Sequence, residues 1–419
     1  MPSGRRWRGL LLDVTPLRES ADFRRLWAGM SLSALGTRMT QIAIPFEVYR
    51  LTHSTLLVGI LGFARLVPNL ALSLLGGAYA DAHDRRRIMI ATQLGGALCS
   101  IGLFLNSRLW SPSVPAIFVL ALVGASCFSI QSPAERSSIP RFVRPDQLVA
   151  AMVIKQGTAS AAFLAGPAIG GVLIAAGGPS WVYGADVASY ALGMIAILRL
   201  SRLLPEPHMS GAKPFAAVVD GLRRLRGRDA LIGSFVADLN AMVFGLPVAL
   251  FPALVDRRYG GSATVYGLFM SAPLAGAVVA SVVSGWTRRI HRHGMAVTAL
   301  VAVWGGAIAG FGLVSDLVAG LALLAVAGWA DAASGVFRHA MLQRSTPPEM
   351  LGRMEGVGMA VWSGGPALGD LEAGVVAATA GVTASIVSGG ILCVVGSLVI
   401  VAALPGFRRY DDRAGSASG

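Results

Sequence analysis

Apolar runs of about 20 residues, the length that crosses roughly 30 Å of hydrocarbon as a helix, recur through this 419-residue chain and constrain it more than any other feature. Twelve can be placed: 26–48, 56–80, 88–106, 114–135, 148–173 and 182–200, then 230–254, 263–284, 295–314, 318–339, 353–377 and 384–404. Only 14% of the residues are charged, 54% are hydrophobic, and the mean hydropathy is +0.64. That balance, with 52 glycines to let helices approach closely, belongs to a polytopic membrane protein. The net charge of +13 does not point to nucleic acid, because the arginines punctuate apolar runs instead of forming a basic face on a soluble domain. Cys99, Cys127 and Cys393 stand alone in apolar segments with no metal-ligand spacing.

Positive charge orients such a bundle. Arg24 and Arg25, Arg85 to Arg87, Arg136, Arg141 and Arg144, Arg223, Arg224, Arg226 and Arg228, Arg288, Arg289 and Arg292, Arg344, and Arg408 and Arg409 fall on one side. The other side keeps Arg50, Arg108, Arg257 and Arg258. Both termini are therefore expected in the cytoplasm, and residues 1–22, with four arginines and no cleavable signal pattern, are expected to stay there. The longest polar stretch lies at the midpoint and contains an amphipathic pattern, Phe215, Ala216, Val218, Val219, Leu222 and Leu225. The expected organisation is a cytoplasmic segment 1–23, a six-helix bundle 24–200, a cytoplasmic linker 201–229, a second six-helix bundle 230–404 and a tail 405–419.

Between the second and third runs lies Gly76-Gly77-Ala78-Tyr79-Ala80-Asp81-Ala82-His83-Asp84-Arg85-Arg86-Arg87-Ile88. The glycines let two backbones approach, Asp81 can cap a helix or oppose a neighbouring helix N-terminus, and the arginines hold the turn in the cytoplasm. Taken alone, such a turn could be a topology signal. Its Gly-x-x-x-Asp-x-x-x-Arg-Arg-Arg order between two membrane-length runs resembles the loop between the second and third helices of major facilitator superfamily transporters. The resemblance implies an all-α membrane protein of twelve transmembrane helices in two pseudo-symmetric six-helix bundles. It also implies that Gly77, Asp81, Arg85, Arg86 and Arg87 latch the two halves at the cytoplasmic face.

The halves repeat, as duplicated transporter bundles do. Gly166-Pro167-Ala168-Ile169-Gly170-Gly171 recurs as Gly365-Pro366-Ala367-Leu368-Gly369-Asp370, and Pro145-Asp146-Gln147-Leu148 as Pro348-Glu349-Met350-Leu351. The turn motif survives in the second half only as Gly285-Trp286-Thr287-Arg288-Arg289, without its aspartate. Gly166, Pro167, Gly170 and Gly171 resemble the antiporter motif of exporting members. Pro167 removes one backbone hydrogen bond while its small neighbours admit another helix; a kinked packing helix is the alternative reading.

Further matches narrow the resemblance. Asp238-Leu239-Asn240-Ala241-Met242, Phe251-Pro252-Ala253-Leu254 and the stretch Met341 to Arg353 are similar to the enterobactin-exporter branch. That branch exports catecholate siderophores, and near relatives export macrolides and other drugs.

Charges inside the runs are an independent clue, since each costs about 2.5–3.5 kcal/mol on insertion scales and faces a partner or a watery cavity. Arg38, Arg65, Lys155, Asp238, Asp331 and Asp370 are the candidates for substrate binding or proton coupling, with Asn240 beside them. In the superfamily, helices one, four, seven and ten line the cavity, which puts Arg38, Asp238 and Asp331 first. Asp238 or Asp331 would exchange protons, and Arg38, Arg65 and Lys155 would attract an anionic substrate whose rings could stack on arginine, Trp329 or Phe244. A structural network of salt bridges would leave the same trace in the sequence. Glu47 is expected in headgroup water, and Trp27, Trp110, Trp181 and Trp286 at the interface.

No phosphate-binding loop and no His-Glu-x-x-His zinc pair occurs, so neither an enzyme, a metal nor a cofactor is expected, and an ion gradient is the expected energy source. The expected function is proton-coupled export of a small molecule, most simply a catecholate-type siderophore, across a bacterial inner membrane by a monomer. Multidrug or macrolide efflux is the alternative, and a non-transporting sensor or scaffold a remote one. The expected partners are substrate, protons and lipid.

Overall fold

Helix α1 (Ala21–Thr52) enters through Asp22 in its first turn and runs for 32 residues with Pro45 inside it. It is followed by α2 (Thr55–Ala64), whose N-cap Ser54 accepts from the Leu57 amide at 3.3 Å. The computed structural model describes residues 13–72, 83–201, 223, 225 and 227–412. Within them the chain continues as α3 (Arg85–Ser107), α4 (Val114–Ser138), α5 (Leu148–Gly177) and α6 (Pro179–Leu198). The second half supplies α7 (Asp229–Phe244), α8 (Phe251–Tyr259), α9 (Ala263–Val282), α10 (His293–Leu313), α11 (Leu317–Arg344), α12 (Pro348–Ala380) and α13 (Val382–Ala403). No strand occurs among the described residues.

Ten helical stretches of the described residues are long and apolar enough to cross a membrane. α1 and α12, at 32 and 33 residues, have the length but carry more polar side chains; with them the set is consistent with the twelve spans expected. The seventh span differs from expectation. It is broken between α7 and α8 at Gly245-Leu246-Pro247, because Pro247 has no amide to continue the helix, and a 3₁₀ turn at Val248–Leu250 restarts it. The freed Gly245 carbonyl accepts from Trp304 Nε1 at 2.8 Å, as backbone inside a membrane must find a partner.

The chain packs as two units, Met1–Ile44 with Ala71–Ser210, and Pro45–Leu70 with Gly211–Gly419. In the first unit Phe23, Leu26 and Met30 of α1 share a core with Ile88 and Met89 of α3, Ala134 of α4, Ala151 of α5 and Ile197 of α6. In the second, α9 and α11 meet along glycines. A side chain on Gly276 would strike the Ala325 carbonyl, and one on Gly328 the Pro273 carbonyl. α10 and α13 do the same at Gly305 and Gly390, where an added Cβ would come within 2.6 and 2.5 Å of the opposite carbonyl. In a bilayer, where lipid is as apolar as leucine, such close backbone approach supplies the packing.

The reciprocal α9–α11 contact gives a direct test. Gly328→Leu is expected to lower the thermal midpoint of the detergent-purified protein, at an overpacking cost of about 1–3 kcal/mol or more. Gly306→Ala, where nothing lies within 4 Å, should leave it unchanged. Equal midpoints for the two variants would contradict the seam.

Candidate functional site

The turn before α3 is described only from His83 onward, so Gly77 and Asp81 lie outside the described residues. Asp84 is the N-cap of α3, accepting from the Arg86 amide at 2.9 Å. Arg85 donates to the Ser137 carbonyl near the end of α4 at 2.9 Å. Arg86 donates to the carbonyls of Ile197 and Leu198, at 3.2 and 2.5 Å, at the end of α6. Both arginines thus satisfy helix C-termini inside the first unit, where the helix dipole favours a cation. Arg87 points outward and lies 3.9 Å from Asp84.

The glycines of the α5 motif form a contact surface. A Cβ on Gly166 would come within 2.6 Å of the Arg38 Cβ, and one on Gly170 within 3.0 Å of Ile42. Pro167 and Gly171 are buried between and beside them. The echo in α12 is used in the same way, since a Cβ on Gly365 would come within 2.8 Å of the Met242 side chain and one on Gly369 within 2.5 Å of the Met242 carbonyl. Each half therefore lays its Gly-Pro-Ala helix on its own first helix, α5 on α1 and α12 on α7. Both motif helices end at a glycine with positive φ, Gly178 at 77° and Gly381 at 94°, from which the next helix starts.

In the first unit the cations meet aromatic and acidic partners. The Arg38 guanidinium stacks over the Phe163 ring at 4.5 Å and lies 6.0 Å from Phe128, while donating to Gln41 at 2.8 Å. Two turns along α5 from Phe163, Lys155 pairs with Glu135 of α4. Glu135 was not among the candidates, because it stands at the very end of an apolar run. A second surprise is Asp186 of α6, which is 1% exposed. Its carboxylate accepts from Thr40 at 2.8 Å, Ser100 at 2.7 Å and Ser189 at 3.1 Å, so hydroxyls from three helices hold it.

In the second unit Asp238 of α7 and Asp331 of α11 share one guanidinium. Arg338 pairs with Asp238 and donates to Asp331 at 3.1 Å. Arg338 escaped the sequence reading, although its place seven residues after Asp331 sets both on one face of α11. Asn240 donates to the Cys393 carbonyl at 2.9 Å and so ties α7 to α13. Trp329 stacks on Trp286 with ring centroids 6.0 Å apart.

Asp370 of α12 lies over α2. A side chain on Gly62 would run into its carboxylate, and one on Gly59 into its carbonyl. Thr55 donates to the Gly374 carbonyl at 3.3 Å one turn away. The Arg65 charge at the end of α2 acts on the Asp370 carboxylate, which also faces the Ala249 amide in the broken seventh span. Tyr266 of α9 feels the same carboxylate, and its buried hydroxyl has no hydrogen-bond partner.

One expectation about the edges changes. Glu47 is 5% exposed, not in headgroup water, because it lies on a stretch of α1 buried from Ile42 to Tyr49 apart from Pro45. Of the tryptophans expected at the interface, Trp110 and Trp181 are exposed, and Trp27 donates to Thr158 at 2.8 Å. A cavity of about 360 Å³ lined by Arg228, Asp229, Ser345, Gly406 and Tyr410 contains none of the candidates.

A family model described as transmembrane secretion effector matches residues 13–416. The chain is 30% identical over 403 residues to proteins named enterobactin exporter EntS from Shigella boydii and Salmonella typhi, covering 93% of this chain and 94% of each relative. Among solved structures, a peptide transporter POT aligns with a TM-score of 0.73 at 12% identity, over 94% of this chain and 96% of that one. A bacterial homologue of the iron transporter ferroportin aligns with a TM-score of 0.67 at 15% identity, over 93% and 98%. These two likenesses show the major facilitator fold.

The shared guanidinium predicts an unequal response to neutralisation. Arg338→Gln leaves two carboxylates without their cation and is expected to cost about 3–5 kcal/mol for a pair as buried as Asp238, with less from the more open Asp331. The triple variant Arg338→Gln, Asp238→Asn, Asp331→Asn should recover most of that loss in thermal unfolding of the purified protein. A triple variant no more stable than the single one would refute the pairing.

Proposed function

The chain belongs to the transmembrane secretion effector family of major facilitator transporters, and from that premise we propose that it exports a catecholate-type siderophore by proton-coupled alternating access. It is a multi-pass membrane protein that handles a small molecule and is not an enzyme. The observation that carries the substrate reading is the Arg38 guanidinium over Phe163 and beside Phe128. Both rings are open, at 44% and 38% exposure. A cation held flat on aromatic faces suits a ligand that is itself aromatic and anionic, and an iron-free catecholate is both. Lys155, one partner of an ion pair with Glu135, adds a second cation on α5, the helix that carries Phe163. The relatives named enterobactin exporters support the same substrate class.

Proton coupling follows from the gradient available. One charge moved through 100 mV is worth about 2.3 kcal/mol, and the membrane carboxylates Asp238, Asp331 and Asp370 can carry it. We read the protein as a monomer of the bacterial inner membrane, and the arginine bias of its loops supports cytoplasmic termini. The turn motif, Gly77, Asp81 and Arg85 to Arg87, is its cytoplasmic gate. Macrolide or multidrug efflux is the second reading, favoured by the same open phenylalanines.

Inverted membrane vesicles with an imposed pH gradient separate the two. Gradient-dependent accumulation of an iron-free catecholate siderophore is expected, and accumulation of a macrolide alone would replace the siderophore reading with drug efflux. Arg38→Ala is expected to weaken uptake of the anionic catecholate more than that of a neutral substrate. An equal loss for both would make Arg38 structural.

A further inference from the structure

Asp370 stands where the internal repeat has a glycine. Gly166-Pro167-Ala168-Ile169-Gly170-Gly171 aligns with Gly365-Pro366-Ala367-Leu368-Gly369-Asp370, and the two segments pack alike on α1 and α7. At the register of the buried Gly171 the second half carries a carboxylate, at about 2.5–3.5 kcal/mol on insertion scales. Its surroundings admit the charge. Gly59 and Gly62 leave the space that the side chain fills, and Arg65 supplies a cation at the end of the same helix.

Four other membrane carboxylates are committed to direct partners. Asp238 and Asp331 hold Arg338, Glu135 holds Lys155, and Asp186 accepts from three hydroxyls. Asp370 differs, because among the described residues it forms no ion pair, while an unpartnered buried hydroxyl, that of Tyr266, lies within its field. The groups presented to it can be named element by element. α2 brings Arg65, the turn before α8 brings the Ala249 amide, and α9 brings Tyr266. On α7, Asp238 is taken by Arg338, α13 carries no acidic or basic side chain, and α12 itself adds Glu372 two positions on.

We propose that Asp370, flanked by Arg65 and Tyr266, is the proton-binding site that couples the gradient to transport. This rests on the proton-coupled exporter reading and assigns its carrier. In the ionised state Arg65 and the Ala249 amide hold the carboxylate. A proton arriving from water forms the O–H bond on one carboxylate oxygen and cancels the attraction to Arg65, and the remaining oxygen is free to accept from the Tyr266 hydroxyl. Loss of the same proton to water on the other side restores the Arg65 contact. The close seam of α2 on α12 at Gly59 and Gly62 makes that change of partner a change in how firmly the two helices hold each other.

Two measurements test this, and only one needs a substrate. Infrared difference spectra of the purified protein should show a carboxylic acid carbonyl band that grows on acidification, is missing from Asp370→Asn and Asp370→Gly, and persists in Asp331→Asn. Asp370→Gly restores the residue of the first-half repeat, so at least one variant is expected to fold. In vesicles, Asp370→Asn should lose gradient-driven accumulation of iron-free catecholate but keep exchange of labelled for unlabelled catecholate. A titrating band that survives in both Asp370 variants, or undiminished gradient-driven accumulation, would overturn the assignment. If the wild type moves no catecholate yet loses the band only with Asp370, the siderophore reading falls and the proton site stands.

Discussion

A charged side chain in hydrocarbon has to be partnered, and most of what distinguishes this chain from a generic helical bundle follows from how its partners are arranged. Some pairs are closed: Lys155 with Glu135, and Arg338 between Asp238 and Asp331. They bind helices within a unit; Lys155 balances Glu135, while Arg338 is shared by two carboxylates. Others are loose. Arg38 lies over the Phe163 ring and donates to Gln41, and Asp370 feels Arg65 without an ion pair among the described residues. Closed pairs suit structure, whereas a carboxylate without one, such as Asp370, can change partner when a proton arrives. On that contrast rests the proposal that the proton binds at Asp370, while the proposed substrate contact at Arg38 rests on its aromatic neighbours.

The same logic governs the helices themselves. Apolar side chains gain nothing by leaving lipid for protein, so close contact is made by glycine. Gly166 and Gly170 seat α5 on α1, Gly365 and Gly369 seat α12 on α7, and Gly276 with Gly328 locks α9 to α11. The duplication is thereby visible as a repeated contact and not merely as repeated letters. Its one chemical departure, aspartate for glycine at position 370, is conspicuous for that reason.

Much of the fold could be read before any coordinates. Run length located the helices, and the Gly-Pro-Ala segments marked the surfaces that meet. Pairing was less legible. Glu135 and Arg338 sit near run ends, where charge is cheap, and nothing along the chain says which helix lies opposite. Asp186 is further from reach, since its hydroxyl partners Thr40, Ser100 and Ser189 come from three helices and each is unremarkable alone. The break at Gly245-Leu246-Pro247 was hidden by its apolar setting. Glu47 misled because position near a helix end suggests water, while burial depends on the neighbours.

A gradient-driven exporter must also run in reverse, with substrate flow moving protons. Proteoliposomes containing a pH-sensitive dye and no imposed pH gradient, given a gradient of iron-free catecholate siderophore, test this directly. The account predicts a change of internal pH that tracks catecholate movement in the opposite direction. Catecholate movement with no change of internal pH would contradict it.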